Sequence, residues 1–298
     1  KSIYDQKSRR MTLRWSIAAS IILLVGLFVG RTINGVRDMH EEQELAKNVM
    51  QPGTSKAILM MADGKEVVLE QGQNLNILLN ERVRVATSNR GIVYEEHGKG
   101  VVTEEYNKLT TPIGGEYSLV LSDGTKVFLN ADSELKYPVE FSDGKRIVDL
   151  KGEAYFEVAK NHSKPFIVKL KNQQITVLGT SFNIQAFNDD RFSVTTLLSG
   201  SILLESFDAQ GRKMSSMKLK PNQQARSDNR TGSIFLSETD ASISNAWVGG
   251  KYRFKDETLV SIVKRLENYY GVNIRLAHDS LRNIRYTGTF SLDQGIQE

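Results

Sequence analysis

The sequence contains no cysteine, and residue patterns that usually mark an active site are missing. Without cysteine the chain can form no disulfide scaffold, no thiol nucleophile and no thiolate metal site. The four histidines are scattered and no two of them stand four residues apart, so no zinc-protease motif exists. Phosphate-binding glycine loops, nucleophile elbows and calcium loops are also missing. We therefore expect a protein that is not an enzyme and that holds neither a metal nor a cofactor.

Net positive charge is missing outside the first fourteen residues. The formal net charge of the chain is +4. Residues 1–14 hold five lysines and arginines and one aspartate, which already gives 5 − 1 = +4. The rest of the chain is therefore balanced, and its charge does not indicate a surface that binds nucleic acid.

One uncharged run, residues 15–30, follows these cations. As a helix it would rise ~24 Å against a hydrocarbon core of ~30 Å, whereas residues 11–33 would reach ~34 Å. A cleaved secretory signal is the alternative, but no A-x-A-like site follows Val29. We predict a transmembrane helix at residues 15–33 and a cytoplasmic stub at residues 1–14, because the cations lie on the N-terminal side.

The exported part is predicted to be mainly β. A polar, helix-prone linker at residues 34–55 ends near a Pro-Gly pair, and a strand period of two dominates residues 56–240. Three Asp-Gly pairs predict two-residue hairpins whose central residues both have positive φ. They are Asp63-Gly64, Asp123-Gly124 and Asp143-Gly144. The segments around them resemble one another, which indicates either an internal duplication or the usual turn chemistry of a meander. A twisted solenoid-like stack and a sandwich both remain open.

The pattern changes at residues 245–298, for which we predict a small α+β domain. A strand at residues 247–254 precedes an amphipathic helix at residues 256–270, with Asp256 as N-cap and Gly271 as the stop. Strands at residues 272–276 and 285–290 complete a β-α-β-β unit. Its last helix is missing, so we expect that the chain is truncated at this end.

Four segments carry a resemblance to a known family. They are TPIGGEYSLVLSDGTKVFLNADSELKYP (111–138), GEAYFEVAKNHSKPFIV (152–168), VLGTSFNIQAF (177–187) and LLSGSILLE (197–205). In this order and spacing they resemble the FecR family of membrane anti-sigma factors, most strongly over residues 111–205. The C-terminal unit is similar to the extra domain of the longer subgroup.

The resemblance implies a relay across the bacterial envelope. A TonB-dependent outer-membrane receptor, in the longer subgroup often SusC-like, would contact the periplasmic body. A cytoplasmic region would hold an extracytoplasmic-function sigma factor. The protein would lie in the inner membrane with its N-terminus inside and its bulk in the periplasm. Residues 1–14 are too short for the family's sigma-binding helices, so we expect that this region is missing from the chain.

Most of the family's motif residues are expected to be architectural. They are Asp123, Gly124, Asn130, Gly152, Glu153, Phe156, Pro165, Phe166, Gly179 and Phe182. Strand alternation puts Ala154 and Phe156 on the core face and Glu153 and Glu157 on a solvated face, where paired carboxylates are structural rather than catalytic.

Gly179-Thr180 is the one chemically suggestive pair. A threonine oxygen that attacks the preceding carbonyl would form an ester that water can cleave. We hypothesise self-cleavage at this bond, with an ordinary strand bulge or close backbone approach as the favoured alternative.

The partner hypothesis rests on residues 245–298. Small β-α-β units with an open sheet edge bind partners by strand addition, so we predict that this region docks the receptor's signalling domain. The candidate residues are Trp247, Tyr252, Phe254, Tyr286 and Phe290. The competing interpretations are a dimer or intramolecular contact for this unit, and a membrane-anchored glycan-binding module, β-rich enzyme or structural envelope protein for the whole chain.

Overall fold

The computed structural model describes residues 54–70, 73, 75–79, 83–88, 91–96, 105–141 and 144–292. The predicted stub, the predicted transmembrane helix and nearly all of the linker lie outside these residues. Within the described part of the chain, none of the helices has the length and apolar character needed to cross a bilayer.

Residues 54–238 form a body made of strands. In chain order these are β1 (Thr54–Met60), β2 (Glu66–Glu70), β3 (Asn76–Leu78), β4 (Val83–Ser88), β5 (Gly91–Glu96), β6 (Tyr106–Thr111), β7 (Gly115–Val120), β8 (Lys126–Leu129), β9 (Ser133–Pro138), β10 (Arg146–Glu157), β11 (Phe166–Lys169), β12 (Gln173–Val177), β13 (Ser181–Ala186), β14 (Phe192–Ser199), β15 (Ile202–Phe207), β16 (Lys213–Leu219), β17 (Gln223–Asp228) and β18 (Ile234–Glu238). The mainly β body that the strand period predicted is confirmed.

The strands form two sheets that share β10. The first sheet runs β2-β1-β6-β9-β10-β11-β12-β15-β16. The second runs β3-β4-β5-β7-β8-β10-β13-β14-β17-β18. Pairing is antiparallel except for β5–β7, β10–β11 and a short β1–β7 contact.

Gly152 marks the point where β10 passes from one sheet to the other. Its φ is +91°, and a Cβ built there would lie 2.3 Å from Ser133 Oγ. Only glycine tolerates both the left-handed backbone and this close approach. The N-terminal half of β10 pairs with β9 and β11, and its C-terminal half pairs with β8 and β13.

The buried faces of both sheets meet in one core of mostly aliphatic side chains. Ala154 and Phe156 of β10 lie in it, as the alternation predicted. Phe156 stacks on Phe182 of β13, with ring centroids 5.1 Å apart. Burying a side chain of this size is worth about 1.5–3 kcal/mol, so this shared core holds the two layers together.

The Asp-Gly turns occur where predicted, but their geometry differs. In the first, Gly64 N–H donates to Met61 O at 2.9 Å, and only Gly64, not Asp63, has positive φ. The turn at Gly124 repeats this arrangement, whereas Asp143 lies outside the described residues. Each is a three-residue loop with a glycine bulge, because the aspartate carboxylate accepts from the backbone two residues on and holds a right-handed conformation. The predicted two-residue turn is therefore wrong.

The C-terminal unit is β-α-β. It consists of β19 (Lys251–Thr258), α1 (Leu259–Tyr270) and β20 (Arg285–Ser291), with single turns of 3-10 helix at Ala241–Ile243, Ala246–Gly249 and Asp279–Asn283. β19 and β20 pair antiparallel. Gly271 ends α1 at φ +66°, as predicted.

Three boundaries in this unit were predicted wrongly. Trp247 lies in a 3-10 helix that precedes β19 rather than in the strand. Asp256 lies within β19 at φ +50°, beside a register shift, so Thr258 occupies the N-cap position of α1, without a side-chain capping bond. Residues 272–276 form no strand. The periodicity of the side chains gives no sign of the β-bulge, which extends β19 and makes α1 begin later.

Candidate functional site at the C-terminal unit

Three of the five predicted partner-binding residues are buried inside the protein. Trp247, Tyr252 and Phe254 are each less than one-tenth exposed. They belong to a second cluster, here called the aromatic core, whose buried members are Tyr155, Trp247, Tyr252, Phe254, Ile262, Tyr269, Tyr270 and Leu292. Tyr155 comes from β10, so the aromatic core joins the C-terminal unit to the body. In this conformation these three side chains face the protein's own β sheet.

A set of polar side chains lies at the same junction, and we call it the Glu153 network. Its members are Asn130, Glu153, Asn183, Gln185, Trp247 and Tyr252. Glu153 Oε2 accepts from Asn130 Nδ2 at 2.9 Å, and Oε1 accepts from Asn183 Nδ2 and Gln185 Nε2 at the same distance. Asn130 Nδ2 also donates to Tyr252 Oη at 3.2 Å, and Trp247 Nε1 donates to Asn183 Oδ1 at 3.2 Å. Two residues of the C-terminal unit are thus bonded to the amides that hold Glu153.

The prediction of a solvated face around Glu153 is wrong. Glu153 is 3% exposed and Tyr155 is 6% exposed, because the C-terminal unit covers this part of the second sheet. Burial raises the pKa of Tyr252, and the nearby charge of Glu153 raises it further. Only Glu157, at the end of the strand, has the expected surface role, in an ion pair with Lys126 at 3.3 Å.

Two further contacts fasten α1 to the body. Gly114 N–H donates to Asn268 O at 2.8 Å, just before β7 begins. Lys264 pairs with Asp190 in the loop after β13. The contacts of α1 are therefore spread from the loop before β7 to the loop before β14.

β20 presents the open side of the unit. Among the described residues it pairs only with β19, and its first five residues are exposed. Tyr286 is 46% exposed and Phe290 is partly buried against the aromatic core. Of the predicted docking residues, Tyr286 is therefore the one that a partner can reach.

Comparison with known proteins places these two regions in defined families. The model of the FecR protein family matches residues 107–203, and the model of the FecR C-terminal domain matches residues 251–298. The chain belongs to the FecR family. The two matched segments are the centre of the body and the unit that packs on it.

Solved structures give the same result for this FecR-family chain. Two crystal structures of a candidate anti-sigma factor from Parabacteroides distasonis ATCC 8503 match it at 29% sequence identity. Both matches cover 64% of this chain, and they cover 86% and 87% of the solved chains, with TM-scores of 0.57 and 0.58. No curated protein gives a significant match. The family is a regulatory one, and a sigma factor is the partner that membership implies.

Other motif residues of the FecR segment lie in the body's framework. Asp123 Oδ2 accepts from Arg146 at 2.7 Å, and Arg146 is only 1% exposed. The same guanidinium donates to Ala159 O and, through Nε, to Lys164 O. It therefore ties the hairpin loop at Gly124 to the turn at Pro165, and Phe166 follows directly in the core.

The predicted cleavage pair has a geometry that explains its glycine. Gly179 has φ +150°, and a Cβ there would lie 2.4 Å from Lys160 Cγ and 2.8 Å from its Cα. This is the close backbone approach that was favoured over self-cleavage. Thr180 is buried, and its hydroxyl donates to Ser201 O at 3.2 Å. Self-cleavage stays a prediction, for which a single intact mass after purification would be the contrary result.

Sequence reasoning missed three residues of this arrangement. Asn183 and Gln185 alternate with core residues on β13, so they look like an ordinary solvent face. Arg146 sits in a charged turn segment that gave no sign of burial. One feature of the sequence indicates this burial. The polar residues of β10 and β13 share one sheet face within the family's motifs. A strand face that is rich in amides and lacks lysine is a candidate for a surface that another part of the protein covers.

Proposed function

We propose that the protein is a single-pass inner-membrane anti-sigma regulator that carries a signal from a TonB-dependent receptor to an extracytoplasmic-function sigma factor. The receptor's signalling domain would contact the C-terminal unit, and the sigma factor would bind on the cytoplasmic side of the membrane. The observation that carries the proposal is the union of a FecR domain with a FecR C-terminal domain in one polypeptide.

Receptor docking is proposed at the exposed edge of β20. An unpaired strand edge offers backbone donors and acceptors to an added strand, and neighbouring side chains then give specificity. Tyr286 supplies an exposed aromatic anchor next to this edge. Tyrosine is among the residues most often found at the energetic centre of interfaces.

The docking proposal can be tested with one matched pair of variants. Tyr286→Ala should weaken binding of the receptor's signalling domain at least tenfold, roughly the loss of one interface hot spot. Tyr106→Ala removes an equally exposed tyrosine from β6 of the body and should leave binding unchanged. Equal affinity of both variants and the wild type in titration calorimetry would contradict docking at β20.

The membrane location rests on residues 15–33 and needs its own test. We expect the full chain to sediment with the inner membrane and to resist extraction by carbonate. A protease added to spheroplasts should digest residues 56–298. Recovery of the intact chain in the soluble fraction would contradict the proposed anchor.

A glycan-binding module is the second interpretation, and the positions of the aromatic residues argue against it. Trp247 and Tyr252 are the residues that a sugar platform would need, and both are buried against the body. Stacking on a sugar requires an exposed ring face.

A further inference from the structure

The carboxylate of Glu153 is buried with neutral partners only. Its three side-chain donors are the amides of Asn130, Asn183 and Gln185. The two cations of α1 that line the same small pocket bond to other carboxylates, Lys264 to Asp190 and Arg265 to Glu257. A buried charge that no cation bonds directly keeps part of its desolvation cost, so this junction is less stable than an apolar one of equal area.

The amides around Glu153 are fixed in orientation by other bonds. Asn130 Oδ1 accepts from the backbone N–H of Ala131 at 2.8 Å. Asn183 Oδ1 accepts from Trp247 Nε1. The side-chain amides of Asn130 and Asn183 must therefore point their NH₂ groups toward Glu153, because rotating either amide by 180° would break one of these bonds. The network is complete only while Trp247 of the C-terminal unit is seated.

The C-terminal unit depends on the body for its apolar core. Its described residues form two strands and one helix, too few to enclose a core alone. The aromatic core is completed by Tyr155, with Phe128 and Leu198 packed against it. A pocket of about 70 Å³ also lies in the junction, lined by Asn130, Glu153 and Tyr252 among others.

We propose that the Glu153 network is a releasable joint. The C-terminal unit separates from the body in a local opening that leaves the two sheets folded, and this opening breaks the bond from Trp247 to Asn183 and the bond between Asn130 and Tyr252. Opening uncovers Trp247 and Tyr252, two of the predicted partner-binding residues, which bond to the body in the closed state. That consequence for partner binding rests on the proposed function, whereas the opening itself does not.

Hydrogen exchange on the full chain in detergent tests the opening. Backbone amides of α1 should exchange faster than those of β13, because the local opening exposes α1 and leaves β13 paired in its sheet. Glu153→Gln replaces one acceptor oxygen with an NH₂ group. This NH₂ group then faces the NH₂ groups of neighbouring amides that cannot rotate by 180°. It should speed exchange in α1 by roughly 10- to 100-fold, the effect of losing one or two bonds to a charged group. Exchange in β13 should rise less than exchange in α1, although two donors to Glu153 lie on β13.

Glu157→Gln is the matched control. This residue lies on the same strand and face but pairs with Lys126 at the surface. Exchange in α1 should be the same as in the wild type. Tyr252→Phe is a second variant that removes only the hydroxyl facing Asn130, and it should speed exchange in α1 by roughly threefold to tenfold. It serves if Glu153→Gln does not fold. Equal exchange of α1 and β13 in the wild type and in both joint variants would overturn the joint.

A binding measurement separates this inference from the proposed function. If opening exposes a docking face, Glu153→Gln should bind the receptor's signalling domain more tightly than Glu157→Gln does. Faster exchange without any receptor binding would leave the joint standing and contradict receptor docking. Tighter binding without faster exchange in α1 would contradict the joint alone.

Discussion

The body and the C-terminal unit are stabilised in different ways. The body encloses a core of mainly leucine, valine and isoleucine between two sheets, with aromatic pairs such as Phe156–Phe182 inside it. The unit has mostly aromatic buried residues, and it borrows Tyr155 from the body to complete their packing. A region that encloses its own core unfolds as a whole, whereas a region that borrows one can detach first. The difference predicts that the C-terminal unit detaches at a lower free-energy cost than the body unfolds.

The first prediction concerns the core of the body and has the largest expected effect. Phe156→Ala should lower the free energy of unfolding by about 4 kcal/mol, because it removes a fully buried ring and leaves a cavity. Urea denaturation followed by far-UV circular dichroism measures the change. Phe235→Ala, at an exposed position on β18, is the control and should shift it by less than about 0.5 kcal/mol. Equal shifts would mean that the shared core does not govern the body.

The second prediction concerns the buried ion pair of the body. Asp123→Asn should cost about 3 kcal/mol, since it leaves the guanidinium of Arg146 buried without its counterion. Lys151→Gln breaks a pair with Glu134 whose lysine is exposed, and it should change stability by less than about 1 kcal/mol. Denaturant midpoints of the two variants give the comparison. If Asp123→Asn leaves stability unchanged, the hydrogen bonds from Arg146 to its two carbonyl acceptors are sufficient for the buried guanidinium.

The third prediction is a pH dependence that belongs to the body. Burial raises the pKa of Tyr94 to about 12, although its bonds to Tyr137 and Asn107 act in the opposite direction. A raised folded-state pKa gives stability that is full below the unfolded value near 10 and is lost as the pH rises toward 12. We expect a loss of about 2 kcal/mol over this range. The stability difference between the wild type and Tyr94→Phe should therefore shrink from pH 10 to 12, and a constant difference would contradict it.

The fourth prediction concerns the C-terminal unit and has the smallest effect. Gly271→Ala forces a side chain into a left-handed helix stop at φ +66° and should cost the unit about 1 kcal/mol. Exchange in α1 should rise about fivefold while exchange in the body stays constant. Gly249→Ala, where φ is not positive and space is open, is the control. A matching rise in β13 would show that the two regions unfold together and would remove the contrast between them.

Much of the fold followed from local pattern. Alternation placed Ala154 and Phe156 in the core, and Gly271 ended its helix where the sequence predicted. The errors arose where one segment meets another. The face of β10 that carries Glu153 looked solvated because nothing local in the strand shows that residues more than ninety positions later cover it. α1 begins later than predicted because Asp256 lies in a bulge of β19.

The sequence by itself determined the family, the strand-dominated body and the turn positions, because these depend on side-chain periodicity and on glycine and aspartate chemistry within a few residues. Only the tertiary structure decided that Glu153, Asn183 and Trp247 meet in one buried network. Burial depends on which distant surfaces come together, and the sequence of one strand does not indicate which segment packs over it. For the same reason Trp247 and Tyr252, two of the five aromatic residues predicted to bind a partner, are found in bonds between the protein's own two domains.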